Sequence, residues 1–170
     1  FFASSWAQNL NFSDAKFKAL ILTSNATNGI AKNASGVSIA IDTNNDGEVQ
    51  LSEAQNVVIL DVKMDETQKY DSVTGEINYP YYFNHLPTAI SDALLFTNVE
   101  ELYISDTKNA NISFVNNSKI KKVMCMNRWF SKEETFNGNY YESDFYPVDF
   151  TIDNCPSIIS MDDISAFYQP

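Results

Sequence analysis

The chain has 170 residues, a hydrophobic content of 44% and a formal net charge of −11. This length suits one domain, or a small module joined to a larger one, and the hydrophobic content is enough for a sizeable core. The acidic balance argues against a nucleic acid or an anionic membrane surface as partner. Because no apolar run approaches about 18 residues, the sequence predicts no insertion into a membrane.

The first predicted element is an amphipathic helix that ends near residue 22. Ser13 is the expected N-cap, and Phe12 in front of it is placed to pack against the first turn as a hydrophobic staple. The apolar residues that fall on one face are Phe17, Leu20 and Ile21. A polar stretch follows over residues 23–36, and the alternation in residues 37–41 then predicts a short strand.

Residues 42–53 match a twelve-residue calcium loop at every position. Short oxygen donors occupy positions 1, 3 and 5, Gly47 permits the turn at position 6, and a glutamate closes position 12. The sequence predicts one structural Ca²⁺ site with the ligands Asp42, Asn44, Asp46, Glu48 through its backbone carbonyl, Gln50 through a water, and Glu53 with both oxygens. The alternative reading of this stretch is a solvated acidic turn.

After the loop, residues 52–56 predict a short exiting helix and residues 57–62 predict a strand. Residues 99–105 and 120–126 share the apolar spacing L-x-x-L-x-L at an offset of 21 residues, which is typical of leucine-rich repeats. A second pair, residues 111–120 and 149–158, also aligns, and Met161 then takes the place of Val123. The alternative is that these segments are ordinary strands of a mixed fold.

Together these patterns predict an α+β fold. We expect a short leucine-rich-repeat solenoid of parallel strands, capped at the N-terminus by the helix and a single EF-hand-like calcium loop. Residues 1–56 would form the helical cap and residues 57–170 an irregular solenoid. Two aromatic-rich insertions would interrupt it, at about residues 64–89 and 128–148.

Three segments carry a resemblance to a known family. The run Phe12-x-x-Ala15-x-Phe17-Lys18, residues 42–54, and the run Phe96-Thr-Asn-Val-Glu-Glu-Leu102 resemble the secreted and cell-surface leucine-rich-repeat proteins of Bacteroidetes, in which an EF-hand-like or dockerin-like loop precedes the repeats. The resemblance implies an extracellular or cell-surface protein used for adhesion to a protein or glycan, without catalysis. A true dockerin has a second calcium loop, which this sequence lacks, so cohesin binding is not expected.

Aromatic residues of the insertions and exposed strand positions are the candidate ligand surface. Exposed tyrosine and tryptophan rings suit stacking on sugars or anchoring a protein partner, and Met gives an adaptable apolar surface. The candidate binding residues are Tyr81, Tyr82, Tyr103, Met124, Trp129, Tyr140 and Tyr141. Alternatively, the rings of the insertions cover the edge of the fold as a satellite core.

The remaining reactive residues are few. Cys125 and Cys155 could form a disulfide, but the repeat alignment places them on different sides of the coil and favours two free thiols. His85 is the only histidine, so the sequence offers neither a set of zinc ligands nor a nucleophile signature beside a general base. A calcium-stabilised binding module is therefore favoured. A calcium sensor is disfavoured because the loop is single, and a polysaccharide-acting enzyme, or its accessory domain, with the aromatic insertions as its cleft is the alternative.

Overall fold

The computed structural model describes residues 8–64, 70–76, 78, 81, 84–88, 90–105, 107, 110–125, 134–136, 139–141 and 148–163. Within these residues the protein is a small α+β structure with two α-helices, α1 (Ala15–Leu22) and α2 (Leu51–Ala54), one 3₁₀ helix (Ser91–Leu95) and nine short strands. The strands form one five-stranded sheet and two two-stranded sheets.

Helix α1 lies where the sequence predicts it, but its N-cap is Asp14 and not Ser13. The Asp14 carboxylate accepts the backbone N–H groups of Lys16 and Phe17 at 2.8 and 3.2 Å. The Ser13 hydroxyl donates instead to Asp92 at 2.7 Å. A carboxylate at this position satisfies donors that the first helical turn cannot satisfy internally.

The buried face of α1 is the predicted one. Phe17 and Ile21 are fully buried and Leu20 is nearly so. The Phe12 ring lies 6.2 Å from the Phe17 ring and 6.4 Å from the Phe96 ring, measured between centroids. The predicted contact between Phe12 and Phe17 is therefore present, but with Asp14 as the N-cap it joins positions N″ and N3 and not the N′ and N4 positions of a hydrophobic staple. Through Phe96 it connects the helix to the segment that follows the 3₁₀ helix.

The five-stranded sheet is the centre of the core. Its order is β1-β2-β3-β5-β9, with ranges Ala31–Lys32, Ile59–Val62, Glu101–Ile104, Lys122–Cys125 and Ser160–Asp163. Strand β1 pairs antiparallel with β2, and the remaining neighbours pair parallel. Alternate residues point inward, so Leu60, Val62, Leu102, Ile104 and Val123 are all at most 1% exposed.

Strands β4 (Ala110–Val115) and β8 (Val148–Asp153) form a second, parallel sheet. Ile112 and Phe114 of β4 are buried in the same core. Asn116 and Asn154 end the two strands with positive φ angles of 53° and 51°, and the Asn154 amide donates to Asn116 Oδ1 at 2.6 Å. A third pair, β6 (Glu134–Phe136) and β7 (Asn139–Tyr141), is an antiparallel hairpin.

The prediction of a leucine-rich-repeat solenoid is wrong, although the strand alignments behind it are correct. The observed pairs Leu102↔Val123 and Val123↔Met161 follow the predicted alignment. However, the paired residues are 21 apart between β3 and β5, 42 apart between β2 and β3 (60 and 102), and 38 apart between β5 and β9. With an antiparallel edge strand and two further sheets, the described residues form a mixed α+β fold and no closed repeat.

Two local predictions also change. The strand predicted over residues 37–41 is reduced to one bridge, between Ser38 and Lys32. The Asn33 side chain accepts the N–H groups of Ser35 and Val37 and so builds a tight turn, which leaves Val37 57% exposed. Helix α2 occupies Leu51–Ala54 and not residues 52–56, because its first turn is fixed by a capping box.

The structure describes the two predicted insertions only in part. Of residues 64–89 it describes 64, 70–76, 78, 81 and 84–88, and of residues 128–148 it describes the β6–β7 hairpin and the start of β8. Cys155 carries a free thiol, as favoured by the sequence, and its Sγ donates to the Phe114 carbonyl at 3.4 Å.

Candidate functional site

The backbone of residues 42–53, the acidic loop, is shaped by its own side chains. The Asp42 carboxylate accepts the N–H groups of Asp46 and Gly47 at 3.2 and 2.9 Å. Asn44 Oδ1 accepts the same Asp46 N–H at 2.9 Å. Gly47 has φ +78°, a conformation that glycine adopts at no steric cost. The side chains at positions 1 and 3 and the glycine at position 6 thus make the chain curl around the donor side chains of Asp42, Asn44 and Asp46.

Three of the predicted ligands touch one another inside this curl. The Asn44 amide donates to Asp46 Oδ2 at 3.0 Å and to Gln50 Oε1 at 3.1 Å, and the Gln50 amide donates to Asp46 Oδ2 at 2.9 Å. Positions 3, 5 and 9 therefore converge, as a calcium loop requires. Asp42 lies beside them, since it shares the Asp46 N–H with Asn44.

The Asp46 carboxylate is held in its charged form. The backbone N–H of Glu48 donates to Asp46 Oδ1 at 2.8 Å, and this bond is the main reason that the pKa of Asp46 lies below its ordinary value. The amides of Gln50 and Asn44 lower the pKa further, against the opposing effect of desolvation. An ionised carboxylate in the centre of the curl is the form that binds a cation.

Glu53 is arranged differently from the prediction. Its side chain turns inward and is 6% exposed. Oε1 accepts both the backbone N–H and the hydroxyl of Thr43, at 2.8 and 2.7 Å, and Oε2 accepts the Gln50 N–H at 3.0 Å. Three of its four lone-pair positions are therefore in use. In this arrangement Glu53 closes the loop as a brace between its two ends, and it has one lone pair left for a ligand.

The second half of the acidic loop is tied to its surroundings. Glu48 makes a 2.8 Å ion pair with Lys18 of α1, and Val49 is fully buried. Backbone bonds of 2.8 Å join Leu10 to Val49 and Leu51 to Gln8. Any change in the stability of the acidic loop is thus transmitted to the N-terminal segment and to α1.

The donor set fits a hard cation in its chemistry and only partly in its arrangement. Every predicted ligand offers oxygen, which Ca²⁺ prefers. Over the part of the chain that the structure describes, no three Asp, Glu, His or Cys side chains are grouped closely enough to hold a metal. Positions 3 and 9 are amides, and the Glu53 carboxylate is engaged with Thr43.

The exposed face of the five-stranded sheet brings together two predicted binding residues. The register aligns Asp61, Tyr103 and Met124 in one row across β2, β3 and β5. The Tyr103 hydroxyl donates to Glu101 at 2.6 Å, and the Lys122 ammonium lies 5.1 Å from the Tyr103 ring centroid. This cation–π contact fixes the ring on the sheet face.

Tyr103 is kept protonated by its neighbour. The hydrogen bond to the Glu101 carboxylate, followed by burial, raises the pKa of Tyr103, and Lys122 opposes both effects. Nearby, Asp61 forms a 2.9 Å ion pair with Lys63 and accepts a 3.4 Å bond from Ser105. The face therefore presents a ring, a thioether and paired charges.

The other predicted aromatic residues are not gathered into a common site within the described residues. Tyr81 stacks on His85 with 3.9 Å between ring centroids, beside a cavity of about 170 Å³ against α1. Tyr82 and Trp129 lie outside the described residues. Tyr140 and Tyr141 belong to β7, but their side chains lie outside what the structure describes.

A groove of about 570 Å³ at the amino ends of β2, β3 and β5 was not predicted from the sequence. Its walls come from segments that are far apart in the chain, including the Asn33 turn, the end of α2 and the residues just before each strand. The polar side chains that line it include Asn33, Thr43, Gln55, Asn56, Asn98 and Glu100. Isolated amides at such separations form no local motif, so only the folded chain assembles them.

No protein-family model, curated protein or solved structure matches the chain. Within the described residues, no helix has the length and apolar character needed to cross a membrane.

Proposed function

We propose that this protein is a calcium-stabilised extracellular or cell-surface binding module that recognises a protein or glycan and has no catalytic role. The observation that carries the proposal is the contact between the side chains of Asn44, Asp46 and Gln50, at positions 3, 5 and 9 of the acidic loop. The three side chains converge, and the Asp46 carboxylate among them is held in its ionised form. Local geometry therefore supports the proposal, in addition to the match of twelve sequence positions to a calcium loop.

In this function the cation is structural. Asp42, Asn44, Asp46, the Glu48 carbonyl, Gln50 and the remaining lone pair of Glu53 would hold it, and Ca²⁺ would offset the negative charge of these carboxylates. Because the unfolded chain lacks the site, binding free energy becomes folding free energy. The loop is bonded to α1 through Lys18 and to the N-terminal segment through Leu10, so the stabilisation extends to the helix.

The sheet face supports recognition as the role. Tyr103 and Met124 lie side by side on the paired parallel strands β3 and β5, which form a rigid platform for an anchoring contact. Two carboxylates beside them whose side chains the structure describes are engaged, Glu101 with Tyr103 and Asp61 with Lys63. Such pairing favours a binding surface over acid–base chemistry.

The calcium part of the proposal is tested by thermal unfolding in saturating Ca²⁺ and in excess chelator. If Ca²⁺ is present at 100 times its Kd, linkage stabilises the fold by about 2.7 kcal/mol, which for a chain of this size raises the Tm by about 5–10 °C. Asp46→Asn removes the central charge but keeps the Oδ1 acceptor for the Glu48 N–H. It should lose most of the Ca²⁺-dependent increase.

Asp71→Asn is the matched control. Asp71 also accepts two backbone N–H groups through Oδ1, from Val73 and Thr74, and its pKa is likewise lowered by them, but it lies outside the acidic loop. This variant should keep the full Ca²⁺ effect. An unchanged Tm of the wild-type protein between Ca²⁺ and chelator, or an equal loss in both variants, would contradict the proposal.

A further inference from the structure

The groove at the amino ends of β2, β3 and β5 is a preformed open site with both polar and apolar lining residues. At about 570 Å³ it lies within the range of about 300–1,000 Å³ that ligand sites occupy. Its base is fixed by backbone bonds from Glu100 to Val58 at 2.8 Å and from Lys121 to Glu100 at 2.7 Å. The Asn98 amide, which donates to the Gln55 carbonyl at 2.8 Å, joins the end of α2 to the strand side of the groove.

The amides that line the groove have hydrogen-bonding capacity left over. Asn33 uses its carbonyl for the N–H groups of Ser35 and Val37, so within the described residues its NH₂ group is unengaged. Asn56 and Asn98 use only their NH₂ groups, for the carbonyls of Ser52 and Gln55, and their carbonyls receive no hydrogen bond from the described part of the chain. The groove thus presents both donors and acceptors on groups that cannot ionise.

From this arrangement we infer that the groove binds a neutral carbohydrate chain. Sugar hydroxyls donate and accept at once, so they match a wall of amides. The apolar lining residues Ile39 and Val58 offer a surface for the C–H face of a sugar ring. This inference rests on the proposed binding function and names the ligand class and the place at which it binds.

The charges at the groove favour a neutral ligand over an ionic one. Glu100 is neutralised by a 2.6 Å ion pair with Lys121. Among the described lining residues, Lys119 is a single cation on a chain of net charge −11, so an anionic sugar or a phosphate gains little there. A peptide would also find hydrogen-bond partners, but the lining that the structure describes includes no aromatic ring to anchor a side chain.

The groove also touches the acidic loop. Thr43, at the second position of the loop, lines the groove and donates both its N–H and its hydroxyl to Glu53. The wall of the groove is therefore held by the same carboxylate that braces the loop. Stabilising the acidic loop therefore keeps this wall of the groove in place, so the loop and the groove are physically connected.

The test measures binding of the full chain, by isothermal titration, to a panel of neutral oligosaccharides of glucose, galactose, mannose and xylose. A uronic-acid oligosaccharide and an unstructured neutral peptide serve as comparison ligands. Ala34→Trp fills the groove from an exposed turn position without removing a hydrogen bond. Asn33→Asp keeps the carbonyl-type acceptor of the turn and removes the NH₂ donor. Ala26→Trp, at an exposed turn position outside the groove, is the matched control.

We expect at least one neutral oligosaccharide to bind the wild-type protein and Ala26→Trp with equal affinity. Ala34→Trp should weaken that binding by more than about tenfold, because the added ring occupies the space of the ligand. Asn33→Asp should weaken it by about three- to tenfold, the effect of one neutral hydrogen bond. The Tm of each variant, measured in the same buffer, shows that the fold is retained.

Three results would overturn the inference. The first is that no neutral oligosaccharide binds. The second is that Ala34→Trp and the wild-type protein bind with equal affinity. The third is that the wild-type protein prefers the uronic-acid ligand or the peptide and that Ala34→Trp abolishes this preference. The Ca²⁺-dependent rise in Tm is measured separately and without ligand. The binding data can therefore contradict the carbohydrate site in the groove without contradicting the proposed stabilisation by Ca²⁺, and the reverse.

Discussion

Replacing Glu53 by glutamine tests whether this residue braces the acidic loop independently of any cation. In the structure the carboxylate accepts two bonds from Thr43 and one from the Gln50 N–H, and it is 6% exposed. Glu53→Gln keeps one oxygen for Thr43 and turns an NH₂ group toward the Gln50 N–H. One bond is lost, two donors are left facing each other, and the remaining two bonds change from a charged to a neutral acceptor.

The magnitude follows from these bonds. A hydrogen bond to a charged group contributes about 1.5–3 kcal/mol and one to a neutral group about 0.5–1.5 kcal/mol. Losing the Gln50 bond and weakening the two Thr43 bonds, offset in part by the easier burial of a neutral amide, should cost about 2–4 kcal/mol. For a chain of this length that is a fall in Tm of about 5–15 °C.

The assay is urea-induced unfolding in excess chelator, so that no Ca²⁺ effect enters. Glu48→Gln is the matched control in the same loop. Its side chain is 42% exposed and pairs with Lys18 at 2.8 Å, so its loss should cost less than about 1 kcal/mol. If Glu53→Gln is no more destabilising than Glu48→Gln in chelator, the brace role derived from the structure is refuted.

Three further predictions concern the core, the helix cap and the sheet face. Phe17→Ala should destabilise by about 3–5 kcal/mol, measured by urea unfolding, because Phe17 is fully buried; a cost below 1 kcal/mol would contradict the packing described. Asp14→Ala loses the α1 cap and both bonds from Thr88, so it should cost about 2–4 kcal/mol, whereas Asp14→Ser can keep the cap and should cost less; equal losses would argue against a stabilising contribution from the cap. The pKa of Tyr103 is raised, so its neutral form contributes stability that is fully present below about pH 10 and lost as pH rises through the folded pKa. The difference between the absorbance titrations of the wild-type protein and of Tyr103→Phe should show the ionisation of Tyr103 at high pH. Glu101→Gln should move this ionisation toward lower pH.

Strong local patterns made part of the fold predictable. The spacing of Phe17, Leu20 and Ile21 identified α1, and the 21-residue offset gave the register of β3 against β5. The second alignment gave the register of β4 against β8. These succeed because a helix face and a pairing register depend on side chains that are close in sequence or repeat at a fixed offset.

The architecture built from those registers was not predictable in the same way. Nearly equal strands suggested a solenoid interrupted by two insertions, but the described strands form three sheets, with antiparallel as well as parallel pairs. The antiparallel pairing of β1 with β2 depends on a two-residue strand that carries no periodic signal. Whether so short a strand forms at the edge of a sheet depends on the packing around it.

By itself, the sequence determined the elements and donor types of this protein: helix α1, the registers of the parallel strands, and the oxygen-bearing residues of the acidic loop. Tertiary structure decided how the polar groups are used. Ser13 and Asp14 can both cap a helix, and the choice falls to Asp14 because Asp92, 79 residues from Ser13, accepts the serine hydroxyl. Glu53 has the length to close a calcium site, but Thr43 folds back onto it and makes it a brace. Such outcomes depend on which donors lie within about 3 Å of an acceptor after folding, a distance that no local pattern encodes.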